Sequence, residues 1–220
     1  MTEPGPVGAD GIGCVVFDLD GTLYPLEEFA VDYAALLRDA VLELSSCTRE
    51  DCEEMVCRLM GGGEGARGSV TAIVESAGVP ILAWNNFRDS RLRRPTSIRL
   101  NSSITTAVKT LATRIPVALV TNSTTKLAHG CLSAVGLKDD DFSVLVAADS
   151  GLAPKPSTAP FLEVARLVPC EPAALFGIGD RWNMDVAPLI ELGGGGICVS
   201  KPSDVVEVCA HLMESAFGED

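Results

Sequence analysis

The chain has 220 residues, 47% of them hydrophobic, enough for one good core with a small appended lobe. A net charge of −13 argues against nucleic acid and anionic membranes as partners, because a field of that sign repels both. No apolar run approaches the ~18–20 residues of a spanning helix, and the first residues lack a signal peptide's basic and apolar regions, so a soluble cytoplasmic protein is expected.

In chain order, residues 1–12, with Pro4, Gly5 and Pro6, read as a loose tail. The run Val15-Val16-Phe17 predicts a strand over 14–18 that stops on Asp18, with Asp20 two residues on and Gly21 after it. A strand that ends in a carboxylate delivers it to the sheet edge where open α/β folds bind ligands, which makes Asp18 a candidate nucleophile or metal ligand. Side chains alternate along extended backbone, so Asp18 and Asp20 share a side while Leu19 points away. Two carboxylates at one spot repel; a cation relieves this, and a hard oxygen site with few protein ligands suits Mg²⁺. Gly21 lets the chain turn sharply after Asp20.

Residues 26–94 read as helices without a strand. Phe29, Tyr33, Leu36, Leu37, Ala40, Val41 and Leu44 recur at helical spacing over 26–44, and Thr48 can cap a second helix running to Met60. The loop 61–68 contains Gly63-Glu64-Gly65-Ala66-Arg67-Gly68, formally a dinucleotide fingerprint. It follows a charged, helix-like segment instead of a strand, so it is read as a turn. Further on, Trp84, Asn85, Asn86, Arg88, Arg91, Arg93 and Arg94 offer groups that can grip a base, a carboxylate or a second phosphate, or simply face solvent.

From residue 95 strands and helices alternate. Short apolar runs predict strands at 116–121, 143–147, 174–178 and 196–199; helical spacing falls over 102–114, 124–135, 158–167, 184–192 and 203–215. Such alternation implies right-handed crossovers and an α/β fold: a Rossmann-like three-layer sandwich around a parallel sheet. The expected division is a core of 13–25 and 95–220, with the small all-helical segment 26–94 inserted after the first strand. The glycines 193–196 read as a helix stop and tight turn before the last strand. Eight cysteines without a Cys-x-x-Cys pair read as reduced, mostly structural thiols.

Asp18-Leu19-Asp20-Gly21-Thr22 behind an apolar strand resembles the first motif of the haloacid dehalogenase superfamily, in its Mg²⁺-dependent phosphatase branch. The other motifs follow in order: Leu119-Val120-Thr121-Asn122-Ser123, then Lys155-Pro156, then Gly179-Asp180 with Asp185. The resemblance implies that Asp18 attacks phosphorus to give an aspartyl phosphate and that Asp20 serves as acid and then base. It implies that Mg²⁺ is held by Asp18, the Asp20 carbonyl and Asp180, with Asp185 behind them. Thr121, Asn122 and Lys155 would bind the substrate phosphate, and the 26–94 insertion would be a helical cap that selects the substrate. The Thr-Leu-Tyr-Pro continuation looks like phosphatases related to pyrimidine 5'-nucleotidases, which often carry Asn where this chain has Gly21. A nucleoside monophosphate is one expected substrate class; phosphoglycolate-type phosphatases and phosphomutases are alternatives within the fold. From another class, a binding module with its chemistry lost would be expected to lack one of Asp18, Asp20, Thr121, Lys155 or Asp180.

Overall fold

A computed structural model describes residues 11–25, 33–60, 70–91 and 98–217. The segment 1–10, the glycine loop, Arg93 and Arg94 lie outside these. The chain divides into two compact units, one formed by residues 1–29 and 94–220 and the other by 30–93.

The larger unit is built on five parallel strands: β1 (Cys14–Phe17), β2 (Val117–Val120), β3 (Val144–Val146), β4 (Leu175–Gly179) and β5 (Gly195–Cys198), in the order β3-β2-β1-β4-β5. The central β1 pairs Phe17 with Leu119 on one side and with Ile178 on the other. The chain fills one side of β1 and then returns to fill the other, so the order reverses at β1, where open α/β sheets have their ligand crevice.

Alternation buries both faces. Cys14 and Val16 join Ala118, Val120, Val144 and Val146 in one cluster against Phe161, Val164 and Ala165 of helix α7 (Ala159–Leu167). Val15, Phe17, Val117 and Leu119, of the opposite parity, are equally buried, and Phe17 meets Phe142 edge-on at 6.4 Å. Only a sheet covered on both sides buries both parities, which is why these strands read as continuous apolar runs. Helices α5 (Ser102–Ala112) and α9 (Pro202–Phe217) pack together, and Ile104, Val108 and Leu111 of the one and Val205, Cys209 and Leu212 of the other are buried. Helix α6 (Thr125–Val135) starts on Thr124, whose hydroxyl caps it, and stops at Gly136.

Two expectations at the end of the chain are corrected. The segment 184–192 is not one helix but a π turn, Trp182–Val186, feeding the short α8 (Ala187–Glu191). The glycine run is not all turn either, because β5 begins inside it at Gly195. A side chain at Gly196 would place a Cβ 2.8 Å from the Gly177 carbonyl oxygen, so this strand end lies against β4 without room for one. Gly193 alone provides the left-handed turn, at φ +84°.

The smaller unit contains α1 (Tyr33–Leu44), α2 (Arg49–Met60), α3 (Val70–Ser76) and α4 (Ile81–Arg91), with no strand among its described residues. Thr48 caps α2 by accepting from the Asp51 amide at 3.1 Å. No disulfide joins the eight cysteines, and burial pushes the thiols of Cys14 and Cys209 up to about 12, where they stay protonated and inert. No helix among the described residues is long and apolar enough to cross a membrane.

Candidate active site

The sheet register gathers the site. Asp18 follows the last paired residue of β1, and its amide still donates to the Ile178 carbonyl at 2.9 Å. Thr121 and Asp180 each follow the last residue of β2 and β4, so three neighbouring strands release polar side chains within two residues of one level. Lys155 comes from the loop ahead of α7, next to a cis peptide bond at Pro156.

Lys155 is almost completely buried, and its ammonium bridges Asp18 Oδ1 at 2.7 Å and Asp185 Oδ1 at 2.5 Å. Burial works against the charged ammonium, yet the two carboxylates outweigh it and hold the Lys155 pKa above its ordinary value. Asn122 fixes the backbone behind this ammonium: its side chain accepts from the Lys155 amide and donates to the Lys155 carbonyl, both at 2.9 Å. The second oxygen of Asp18 accepts from the Thr22 hydroxyl at 3.0 Å.

Asp20 is held differently. Oδ2 accepts from Ser123 Oγ at 2.8 Å and from Thr121 Oγ1 at 3.3 Å, and Oδ1 accepts from the Tyr24 hydroxyl. Thr121 Oγ1 also accepts from the Ser123 amide at 3.0 Å, so its hydrogen is directed at Asp20. Two carboxylates two residues apart thus sit in two environments, one shared with an ammonium and one enclosed by neutral hydroxyls.

Asp180 and Asp185 complete the cluster. Asp185 is buried and reaches back to accept from the Arg181 amide at 3.0 Å. This approach needs Gly179, since a Cβ there would fall 2.5 Å from both Cγ and Oδ2 of Asp185. Burial, reinforced by the charges of Asp18 and Asp185, pushes the Asp180 carboxyl up to about 7 despite Arg181 and Lys155 nearby. Asp180 Oδ1 is buried and has no hydrogen-bond donor among the described residues, the Arg181 Nε lying 3.7 Å away. Carboxylate oxygens of Asp18, Asp180 and Asp185 lie within 4.8 Å of one another. Four carboxyl groups face only the two cations Lys155 and Arg181, and the Asp180 oxygen has no donor among the described residues. Those are the conditions a hard divalent cation meets.

Each of the site residues singled out from the sequence in the larger unit has a place in one of two adjoining groups: Asp18, Asn122, Lys155, Asp180 and Asp185 around the ammonium, and Asp20 with Thr121 among the hydroxyls. Reading the sequence missed Thr22, Tyr24, Ser123 and Arg181. A hydroxyl two residues after Thr121 and a tyrosine in the turn after Asp20 were available signals. In the smaller unit, Trp84, Asn85 and Arg88 are buried and Asn86 is exposed. Arg91 binds Glu43 at 2.8 Å and stacks on the Phe87 ring at 4.0 Å, so its guanidinium already has partners within that unit.

The family model of haloacid dehalogenase-like hydrolases matches residues 12–193, a range that contains every one of these site residues. The chain belongs to that family. This hydrolase is 33% identical over 109 residues to a phosphoglycolate phosphatase from Chromobacterium violaceum, a match covering 49% of this chain and 48% of that protein. It thus aligns with about half the length of that relative. Among solved structures it resembles a predicted phosphoglycolate phosphatase from Haemophilus somnus, with a TM-score of 0.58 at 20% identity over 87% of this chain and 86% of that one. It also resembles a 2-haloacid dehalogenase from Pseudomonas syringae pv. Tomato, with a TM-score of 0.55 at 22% identity over 91% and 99%. Structural likeness at this identity extends to the fold alone.

Two predictions concern the hydrolase's charge cluster. Lys155→Met leaves Asp18 and Asp185 buried without their cation, so denaturant unfolding should show a loss of about 3–5 kcal/mol. Adding Asp185→Asn should recover part of it, and an unchanged midpoint in the single variant would mean the bridge contributes nothing. The second concerns Asp180, whose folded pKa stands above the unfolded one. Its favourable contribution is complete below the ordinary carboxylate pKa and is lost as pH rises through about 7. In chelator-containing buffer, the wild type should lose more stability between pH 5 and pH 8 than Asp180→Asn does, and parallel curves would contradict the assignment.

Proposed function

We propose that this hydrolase is a Mg²⁺-dependent phosphatase acting on a small phosphorylated metabolite through a phosphorylated Asp18. The observation that carries this reading is the different holding of Asp18 and Asp20. A nucleophile must stay ionised and aimed, which a bridging ammonium provides; a group that gains and loses a proton in each cycle is better served by hydroxyls, which can donate or accept.

In the first step an Asp18 carboxylate oxygen forms a bond to phosphorus as the bond to the leaving oxygen breaks, and that oxygen takes the proton carried by Asp20. In the second, Asp20 removes a proton from water as the water oxygen displaces the Asp18 carboxylate, giving phosphate and restoring both residues. Lys155 offsets the charge on Asp18 throughout, and Thr121 with the Asn122 backbone lies beside the phosphoryl position. Asp18, the Asp20 carbonyl and Asp180 would hold Mg²⁺, with Asp185 behind them, and the ion would offset the phosphoryl oxygens' charge. The closeness of the Asp18 and Asp180 oxygens and the Asp180 oxygen without a donor among the described residues support this ligand set.

For substrate, the likeness to the Chromobacterium phosphoglycolate phosphatase makes phosphoglycolate the first compound to test. Nucleoside monophosphates follow, on the Thr22-Leu23-Tyr24-Pro25 continuation. The helical unit 30–93 is proposed as the cap that discriminates among them. A panel of phosphorylated metabolites assayed for phosphate release tests the reading. EDTA should abolish release and Mg²⁺ restore it; full activity in metal-free buffer would falsify the metal assignment.

Asp18→Asn should remain folded yet lose turnover by several orders of magnitude, because an amide keeps the shape but is not a nucleophile. A folded variant with wild-type kcat would remove Asp18 from the chemistry.

A further inference from the structure

Resting on the reading of Asp20 as the acid and base, we infer that Tyr24 is a positioning residue for this reaction, its hydroxyl aiming the Asp20 carboxyl at the leaving oxygen and then at the attacking water.

The local chain is built for this contact. Gly21, at φ +89°, lets the chain double back so that its amide donates to the Tyr24 carbonyl at 3.1 Å, and Asp20 and Tyr24 become bridge partners. The backbone thus brings residue 24 beside residue 20, and the ring supplies the remaining reach to Asp20 Oδ1. Tyr24 is only 1% exposed although it carries a polar hydroxyl, and burying that group requires a partner.

Tyr24 also occupies a place that the other two hydroxyls cannot fill. Thr121 and Ser123 both come from the end of β2 and both bind Oδ2. Tyr24 is the donor on the other oxygen, Oδ1, and it comes from the turn after β1, so the carboxyl is gripped at both oxygens from two sides. Proton transfer depends on this orientation, because the donor and acceptor must meet within hydrogen-bond reach along a defined direction.

Tyr24→Phe deletes one oxygen and keeps the ring, which makes it the test. Two phosphate esters separate positioning from packing: 4-nitrophenyl phosphate, whose leaving group departs without an acid, and the alkyl phosphate from the panel that turns over fastest. In Tyr24→Phe, kcat/KM for the alkyl ester should fall at least about tenfold further than for the aryl ester, the scale of one hydrogen bond to a charged group. The aryl ester should also show a pre-steady-state burst of nitrophenolate, because hydrolysis of phosphorylated Asp18 still needs an aimed base. Equal losses on the two esters, without a burst, would assign Tyr24 to packing alone and overturn the inference.

Asp20→Asn distinguishes the inference from the reading beneath it. If Asp20→Asn selectively cripples alkyl turnover while Tyr24→Phe behaves as wild type, Tyr24 is excluded and Asp20 stands. If Asp20→Asn leaves alkyl turnover intact, both fall. A measurement that does not depend on the Phe variant folding uses the fact that the chain has two tyrosines, Tyr24 and Tyr33. With ¹³Cζ-labelled tyrosine, Asp20→Asn should displace one of two signals, and two unmoved signals would contradict the contact.

Discussion

The ammonium of Lys155, closed off from solvent between Asp18 and Asp185, is the constraint on which the site depends. Buried like charges repel strongly, and these two carboxylates are held in place, Asp18 at the end of β1 and Asp185 in the π turn packed against β4, so they cannot separate. A lysine on a loop fixed by Asn122 lets the end of β1 and the π turn after β4 lie as close together as they do. Burying an ion pair is not by itself a source of stability, because both partners are stripped of water. What the pair secures is a defined geometry, with one oxygen of Asp18 committed to the cation and the other to Thr22.

Around that pair the protein keeps three kinds of carboxylate. Asp18 and Asp185 share a cation, Asp20 is surrounded by hydroxyls, and Asp180 has an oxygen with no donor among the described residues. These differences come from surroundings and not from residue type, and they separate groups that the sequence writes identically. A chain with a net charge of −13 can in this way present anions with distinct capacities within one small volume.

Much of the core was legible because parallel strands covered on both faces leave an unmistakable signature of short apolar runs. The ends of β1, β2 and β4 lie within a residue or so of their expected positions, and these ends carry the site. The π turn at Trp182–Val186 was not legible, since helical spacing in sequence cannot distinguish an extra residue in one turn from a regular helix. The start of β5 within glycines was hidden for a related reason: glycine reads locally as turn, whereas here the closeness of β4 demands it. Asp18, Asp20 and Lys155 stand out by chemistry and order. Tyr24 and Ser123 do not, because tyrosine and serine in a turn have many ordinary uses and only the folded chain shows which group they reach.

The side chain of Asn122 gives the Lys155 loop something that sequence patterns do not register. By bonding both the amide and the carbonyl of one residue, it imitates the edge of a neighbouring strand and extends the sheet's hydrogen-bonding ladder one residue into a connecting loop. Both backbone polar groups of Lys155 are thereby paired, as those of a strand residue would be. Neither isosteric relative of the amide can stand in for it: aspartate accepts but cannot donate, and leucine does neither. The position therefore tolerates change as a backbone position does, by its pairing capacity and not by its volume.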